Sequence, residues 1–146
     1  MKILPPTLLA SCIGVMLILH FAWPVRQVLI FPWNLAGAVG IITGLALASS
    51  GSRQFERMGT TVMTFDVPGR LVVSGLYRYS RNPMYLGFVL LLAGIWVALG
   101  SLSPLGVVIF FLAVTDIYYI RFEENMLENT FGDRFRQYCQ QVRRWI

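Results

Sequence analysis

Four long apolar stretches dominate the chain, at about Ile3–Val25, Val28–Ser50, Pro83–Leu102 and Pro104–Phe122. Each approaches the roughly 20 residues a helix needs to cross a bilayer. Only Trp23-Pro24-Val25-Arg26-Gln27 separates the first two, and only Gly100-Ser101-Leu102-Ser103-Pro104 separates the last two, so the pattern predicts two helical hairpins. Between them the hydrophobic balance shifts at Gly51. The following 32 residues, to Asn82, carry the turn signals "GTT", "DVPGR" and "SGLY" and a short apolar run, Leu71-Val72-Val73. A connection that long is usually functional or disordered. This one is too rich in Phe, Val, Leu and Tyr for disorder, and it is expected to fold back over the mouth of the helices. In the tail, Leu127, Phe131, Phe135, Tyr138, Val142 and Trp145 recur every three or four residues, which predicts an amphipathic helix. Gly132-Asp133 predicts a break and restart within it. An Arg-rich polar face reads as a helix lying in the membrane interface.

With 146 residues and 56% hydrophobic content, the expectation is one all-α, polytopic membrane domain spanning 1–146. It divides into an N-terminal hairpin (1–50), a cytoplasmic connection (51–82), and a second hairpin with its tail (83–146). The first stretch has no small-residue cleavage site, and Pro24 leads directly into the second, so it reads as a retained span. If all four segments span, 11 of the 12 basic residues share one side and Arg26 alone lies on the other. Positive charge stays cytoplasmic. Both termini are therefore expected in the cytoplasm, at the inner membrane if the source is bacterial. The net charge of +5 then reports topology and contact with anionic lipid, and no nucleic-acid partner is expected. Cys12, on a span, and Cys139, on the tail, do not read as a disulfide pair. The small residues Ala36, Gly40, Gly44 and Ala48 form a stripe that lets helices approach closely. It could serve internal packing or a dimer, and oligomeric state is not legible. His20 reads as a packed or interfacial histidine.

Chemistry concentrates at "YRYSRNPMYLG", Tyr77–Gly87, where basic and polar residues run straight into an apolar helix. Asn82 and Pro83 suit the N-cap and first position of that helix. Its first-turn N–H groups, its dipole and Arg81 would favour an anion. Tyr85 follows, and Gly87 would let a flat ligand lie against the backbone. The competing reading is an ordinary cap beside an arginine reaching for the interface. The fourth span leaves the membrane through Asp116, Tyr118, Tyr119, Arg121, Glu123 and Glu124. Antiparallel pairing of spans three and four puts these at the depth of Asn82-Pro83. Adjacent glutamates diverge by about 100° on a helix, so one at most should face a given pocket. Anion-seeking and cation-seeking groups side by side suit a zwitterion carrying an extra positive charge. Arg143, Arg144 and Trp145 read first as a membrane anchor, with a substrate role for either arginine as the alternative. Asp116, costly within a span, could be structural or functional.

"SGLYRYSRNPMYLG", the short-looped hairpin, and "EENMLENTFGDRFRQYCQQVRRWI" together resemble the isoprenylcysteine carboxyl methyltransferase and phospholipid methyltransferase family of integral membrane enzymes. "RMGTTVMTF" upstream also fits, so the likeness runs from about Phe55 to the C-terminus. The resemblance implies S-adenosylmethionine as methyl donor and a lipophilic acceptor entering from the bilayer. By position it places Arg81, Asn82, Pro83, Tyr85 and Gly87 in the cofactor site, with Glu124 and Leu127 closing its other side. Asn82 departs from the family's usual histidine and cannot take a proton. The expected chemistry is in-line displacement at a sulfonium methyl, with no metal. A carboxylate acceptor would need cationic partners such as Arg121, Arg143 or Arg144. A lipid amine would need a base, for which Glu123 and Glu124 are nearest. Glu123, Glu124 and Arg121 are thus the expected catalytic groups. The readings set against this one are a small transporter, a non-catalytic assembly protein and a reductase sharing the C-terminal architecture.

Overall fold

A computed structural model describes residues 3–59 and 69–146. Most of "RMGTTVMTF", with its "GTT" turn signal, and the start of "DVPGR" lie outside the described residues. The helices are α1 (Pro5–Ala22), α2 (Gly37–Arg57), α3 (Pro83–Leu99), α4 (Leu105–Val114), α5 (Arg121–Phe131) and α6 (Asp133–Gln141). A π-helical turn, Thr115–Ile120, joins α4 to α5. Among the described residues, three helical runs are long and apolar enough to cross a membrane: Pro5–Ala22, Trp33–Arg57 and Leu105–Phe131. The fourth expected span, α3, is equally apolar but has 17 residues, about 25 Å of helix. Its end is set by Gly100, whose φ of 73° closes the helix with an N–H donated to the Trp96 carbonyl. The architecture is that of an all-α polytopic membrane protein.

Two expected boundaries move. The second span, expected at Val28–Ser50, starts later: residues 28–32 are not helical, and a 3₁₀ turn, Trp33–Ala36, precedes α2. Pro32 explains this, since a helix interior rejects proline. The N–H groups of Val28 and Leu29 instead donate to the Gly100 carbonyl, and Gln27 bridges Ser101. The two hairpin turns thereby meet at one end of the bundle. At the other end, the helix does not stop at Ser50. The change of composition at Gly51 marks where polar side chains begin, and α2 continues to Arg57.

The small-residue stripe packs inside the chain. An added Cβ on Gly44 would lie 2.5 Å from the Leu91 nitrogen, and one on Gly94 2.5 Å from the Ile41 nitrogen. Backbone therefore touches backbone along the α2–α3 seam. Across that seam's far side, Met16 of α1, Leu92 of α3 and Phe111 of α4 are fully buried together. His20, which has no partner nearby in sequence, has one in space: its Nδ1 lies 2.8 Å from the buried Ser101 hydroxyl. The hydrogen bond ties the end of α1 to the second hairpin turn.

Candidate functional site

At the Arg-rich end, the start of α3 and the last residues of the chain are clipped together. Asn82 occupies the N-cap position and Pro83 the first helical one, but the Asn82 side chain caps nothing. Its amide donates instead to the Arg144 carbonyl (3.0 Å), while the Arg81 N–H donates to the Arg143 carbonyl (3.1 Å). The expected helix cap is thus a clamp on the C-terminal segment. Ser80 takes over part of the local turn, its hydroxyl accepting the Asn82 N–H at 3.1 Å.

The clamp brings Arg144 against two carboxylates. Its Nη2 lies 2.5 Å from Glu124 Oε2 and its Nε donates to Oε1 at 3.2 Å, while Nη1 sits 3.4 Å from Asp116. Arg81 Nη1 approaches the same Glu124 Oε1 at 3.0 Å, and Trp145 Nε1 donates to Asp116 Oδ1 at 3.0 Å. Glu124 and Arg81 are largely sheltered, with side chains 18% and 15% exposed. Two cations and two anions thus balance in a half-buried quartet, where pairing is what makes burial tolerable. Glu123 points elsewhere on the same side and accepts the Tyr85 hydroxyl at 2.6 Å. Tyr85 stacks with Tyr119, ring centroids 6.3 Å apart.

The π-helical turn makes the quartet possible. Asp116 and Glu124 are eight residues apart, about 80° out of line on a regular helix. One i→i+5 turn inserts a residue, so the pair behaves like positions seven apart, within about 20° of alignment. One guanidinium can then span both.

Around this cluster the tail is buried. Phe135, Tyr138 and Val142 form a small core with Leu71, Leu127 and Phe131. Gly132 (φ 53°) separates α5 from α6, as its sequence position predicts. The buried part of the tail's apolar face packs on itself and against Leu71 of the chain's own connection. Tyr138 donates to the Tyr77 carbonyl at 2.6 Å, and Arg81 Nη1 lies 2.6 Å from Cys139 Sγ. Burial pushes the Tyr77 and Tyr138 phenols well above their usual range; Glu123 adds to the shift at Tyr77, and Arg81 partly offsets it at Tyr138. Burial also raises the Cys139 thiol, against the pull of Arg81. Hydrogen bonding to Glu124 raises Arg144 further, so this guanidinium stays charged.

Beside the quartet, an apolar groove of about 590 Å³ runs between α3 and α4, lined by Leu86, Val89, Ile109 and Leu112 and ending at Asp116 and Trp145. Asp116 thus belongs both to the polar cluster and to the groove wall.

The phospholipid methyltransferase family model matches residues 32–134, which contain α2, α3, every groove-lining residue named above except Trp145, and both acidic members of the cluster. The chain belongs to the phospholipid methyltransferase family. Over 78 residues it is 40% identical to methanethiol S-methyltransferase 1 of Bradyrhizobium diazoefficiens, covering 51% of this chain and 25% of that one. Over 104 residues it is 31% identical to a probable protein-S-isoprenylcysteine O-methyltransferase of Oryza sativa, covering 70% and 52%. An uncharacterized protein of Haemophilus influenzae is 47% identical over 64 residues, its whole length and 43% of this chain. The matches thus span a quarter to a half of the two methyltransferases. No solved structure matches the chain.

Within this family member, the structure brings Arg81, Asn82, Pro83, Tyr85, Glu123 and Glu124 together. Both glutamates are engaged on the α3 side through different partners, where one was expected to face the pocket. Leu127 packs into the tail's core beside them. Gly87 is explained by the seam: its Cα faces α2, where an added Cβ would lie 2.6 Å from the Ala48 nitrogen. Arg121, at the first position of α5, is exposed and makes no ion pair among the described residues. Arg144 fills the cationic role beside the glutamates, and Arg143 is exposed. Trp145 and Arg144, read first as a membrane anchor, are half-buried in the cluster. The anchor reading missed them because their partners lie 20 and 29 residues away in sequence. No group of metal-ligating side chains occurs among the described residues.

Proposed function

We propose that this protein transfers a methyl group from S-adenosylmethionine to a lipophilic acceptor at the cytoplasmic face of the membrane. The observation that carries the reading is the shared wall: Asp116 joins a charged, sheltered cluster to an apolar groove between two apolar helices. Family membership supplies the reaction class, and the named relatives act on a thiol and on a prenylcysteine. The donor set fits the cofactor. Arg81 keeps a buried Nε without a partner among the described residues and suits an amino-acid carboxylate. Glu123 and the Tyr85 hydroxyl suit an ammonium or sugar hydroxyls. Glu124, itself held by Arg144, keeps Arg81 in place.

When bound, S-adenosylmethionine supplies an electrophilic sulfonium methyl. The chain's own residues have to bind, align and keep water away. Aligning acceptor and methyl at about 3–3.5 Å can supply roughly 7–11 kcal/mol. Tyr85 and Tyr119, with Trp145 packed against them, form an aromatic cluster beside the quartet. Cation–π contact there favours a positive centre. Asn82, held by the clamp, takes no proton in this scheme.

The cytoplasmic placement rests on charge. α1 and α3 run in opposite directions from their paired partners, so all the arginines except Arg26 gather at the end where the quartet lies. The positive-inside rule puts that end in the cytoplasm.

Calorimetric titration of S-adenosylmethionine into the protein in detergent tests the reading, beside Glu124→Ala and Tyr85→Ala. Micromolar binding in the wild type, weakened at least tenfold in both variants, is expected. Absence of binding to a folded wild type would overturn the cofactor assignment. Labelled methyl donor with extracted lipids then reads transfer.

A further inference from the structure

The groove between α3 and α4 carries an order of chemistry along its length. Its floor from Val89 and Ile109 to Leu86 and Leu112 is apolar, and it ends at the Asp116 carboxylate beside Trp145. Among the described residues Asp116 is its one charged lining residue; the guanidinium that neutralises Asp116 approaches from the cluster and is not part of the lining. The bonds that hold Asp116 are moderate, at 3.0 Å from Trp145 and 3.4 Å from Arg144. A carboxylate has about four lone-pair sites, so capacity remains for a donor arriving along the groove. Behind the wall Arg144 pairs with Asp116; beyond it toward the charged end, the next cation along the helix is Arg121, four residues after the lining residue Ile117 and exposed. It lies five residues past Asp116, about 7 Å further from the apolar floor.

We propose that the groove is the acceptor subsite, and that it selects a long-chain amine whose nitrogen is attached directly to the apolar tail and donates N–H to Asp116. This deepens the proposed function and rests on it for the word acceptor. A carboxylate headgroup would place its charge against Asp116, where a buried like charge is costly. An aminophospholipid presents tail, phosphate and amine in that order. The groove presents apolar floor, anion, then cation, which would set the phosphate on Asp116 and the ammonium near Arg121. Only a tail-linked amine meets the charges in their sequence.

The test uses the full chain in phosphatidylcholine nanodiscs with three brominated probes of equal tail length: an alkylamine, the matching carboxylic acid, and the matching alkyl phosphoethanolamine. The readout is the part of the tryptophan quenching that Trp145→Phe removes, at equal mole fraction in the bilayer. The amine is expected to quench at about tenfold lower mole fraction than either competitor, as befits one charge-assisted hydrogen bond. Asp116→Asn should erase that preference and Asp116→Glu should keep it. Ala113→Trp, which fills the groove without touching a charge, should abolish quenching by all three probes. Equal quenching by the acid or the phosphoethanolamine, a preference that survives Asp116→Asn, or quenching that survives Ala113→Trp would each overturn the proposal. Calorimetry with S-adenosylmethionine on the same samples separates the two readings. A chain that prefers the amine but binds no methyl donor would retain the groove and lose the methyltransferase.

Discussion

Gly87 separates a packing role from a ligand role in one substitution. Gly87→Ala would place a methyl 2.6 Å from the Ala48 nitrogen and 2.7 Å from the Gly44 carbonyl oxygen, where ordinary contact begins at 3.4 Å. Both obstacles are backbone, so no side chain can swing aside. The helices would have to part by about 0.8 Å, and a gap of that size forfeits about a quarter to a half of each facing pair's dispersion well. Overpacking of this kind costs about 1–3 kcal/mol, and a domain of this size loses about 2–4 °C per kcal/mol. Thermal unfolding in detergent, followed by helical circular dichroism, is the assay. Gly106→Ala is the control, because an added Cβ there meets nothing within 4 Å. Gly87→Ala should melt several degrees below Gly106→Ala before any ligand is added. Equal melting of the two, with S-adenosylmethionine binding lost only in Gly87→Ala, would refute the seam argument and return Gly87 to the cofactor.

Other consequences follow from the cluster and its supports. Glu124→Gln should leave the Arg81 and Arg144 charges sheltered without their shared anion; a loss on the order of 2–3 kcal/mol in denaturant unfolding is expected, below the range for fully buried pairs because both sites keep some water, and a change under about 0.5 kcal/mol would count against the quartet. Tyr77 and Tyr138 titrate above their ordinary value of 10.0 in the folded chain. The unfolded chain therefore loses protons first as pH rises past about 10, and the stability they contribute, complete below that pH, declines above it. Tyr138→Phe should flatten that alkaline decline, and an unchanged profile would sink the assignment. His20→Ala should cost about 1 kcal/mol by removing the partner of the buried Ser101 hydroxyl, with S-adenosylmethionine affinity unchanged by calorimetry.

Local patterns announced themselves in the sequence. Apolar runs showed the helices, Pro83 and Gly132 their boundaries, and the i+4 stripe the face of α2 that meets α3. Antiparallel pairing of the last two spans was enough to bring Glu124 to Arg81. The tail was harder, because a 3.6-residue apolar period looks the same whether lipid or protein covers it. The decision came from Leu71 and Tyr77, far away in sequence. Arg121 and Arg144 could not be told apart for the same reason: both are arginines near a carboxylate pair, and only the clamp at Asn82 brings the later one in. The start of α2 was readable in principle from Pro32, which hydropathy alone passes over.

The π-helical turn had no such signal, since Thr115–Ile120 continues an apolar run without proline or glycine. Its consequence is nevertheless central to how the site is built. On a regular helix, placing Glu124 toward Arg81 would turn Asp116 about 80° aside, toward either a neighbouring helix or open lipid. Arg144 could then neutralise one carboxylate, and the other would stand unpaired in an apolar setting at a cost of several kcal/mol. The extra residue removes that conflict and does something further. It lets a single guanidinium hold Glu124 on the cluster side while Asp116 keeps an edge on the groove. Two compartments of opposite character, one charged and one apolar, are thereby joined through one side chain on one continuous helix, from Leu105 to Phe131.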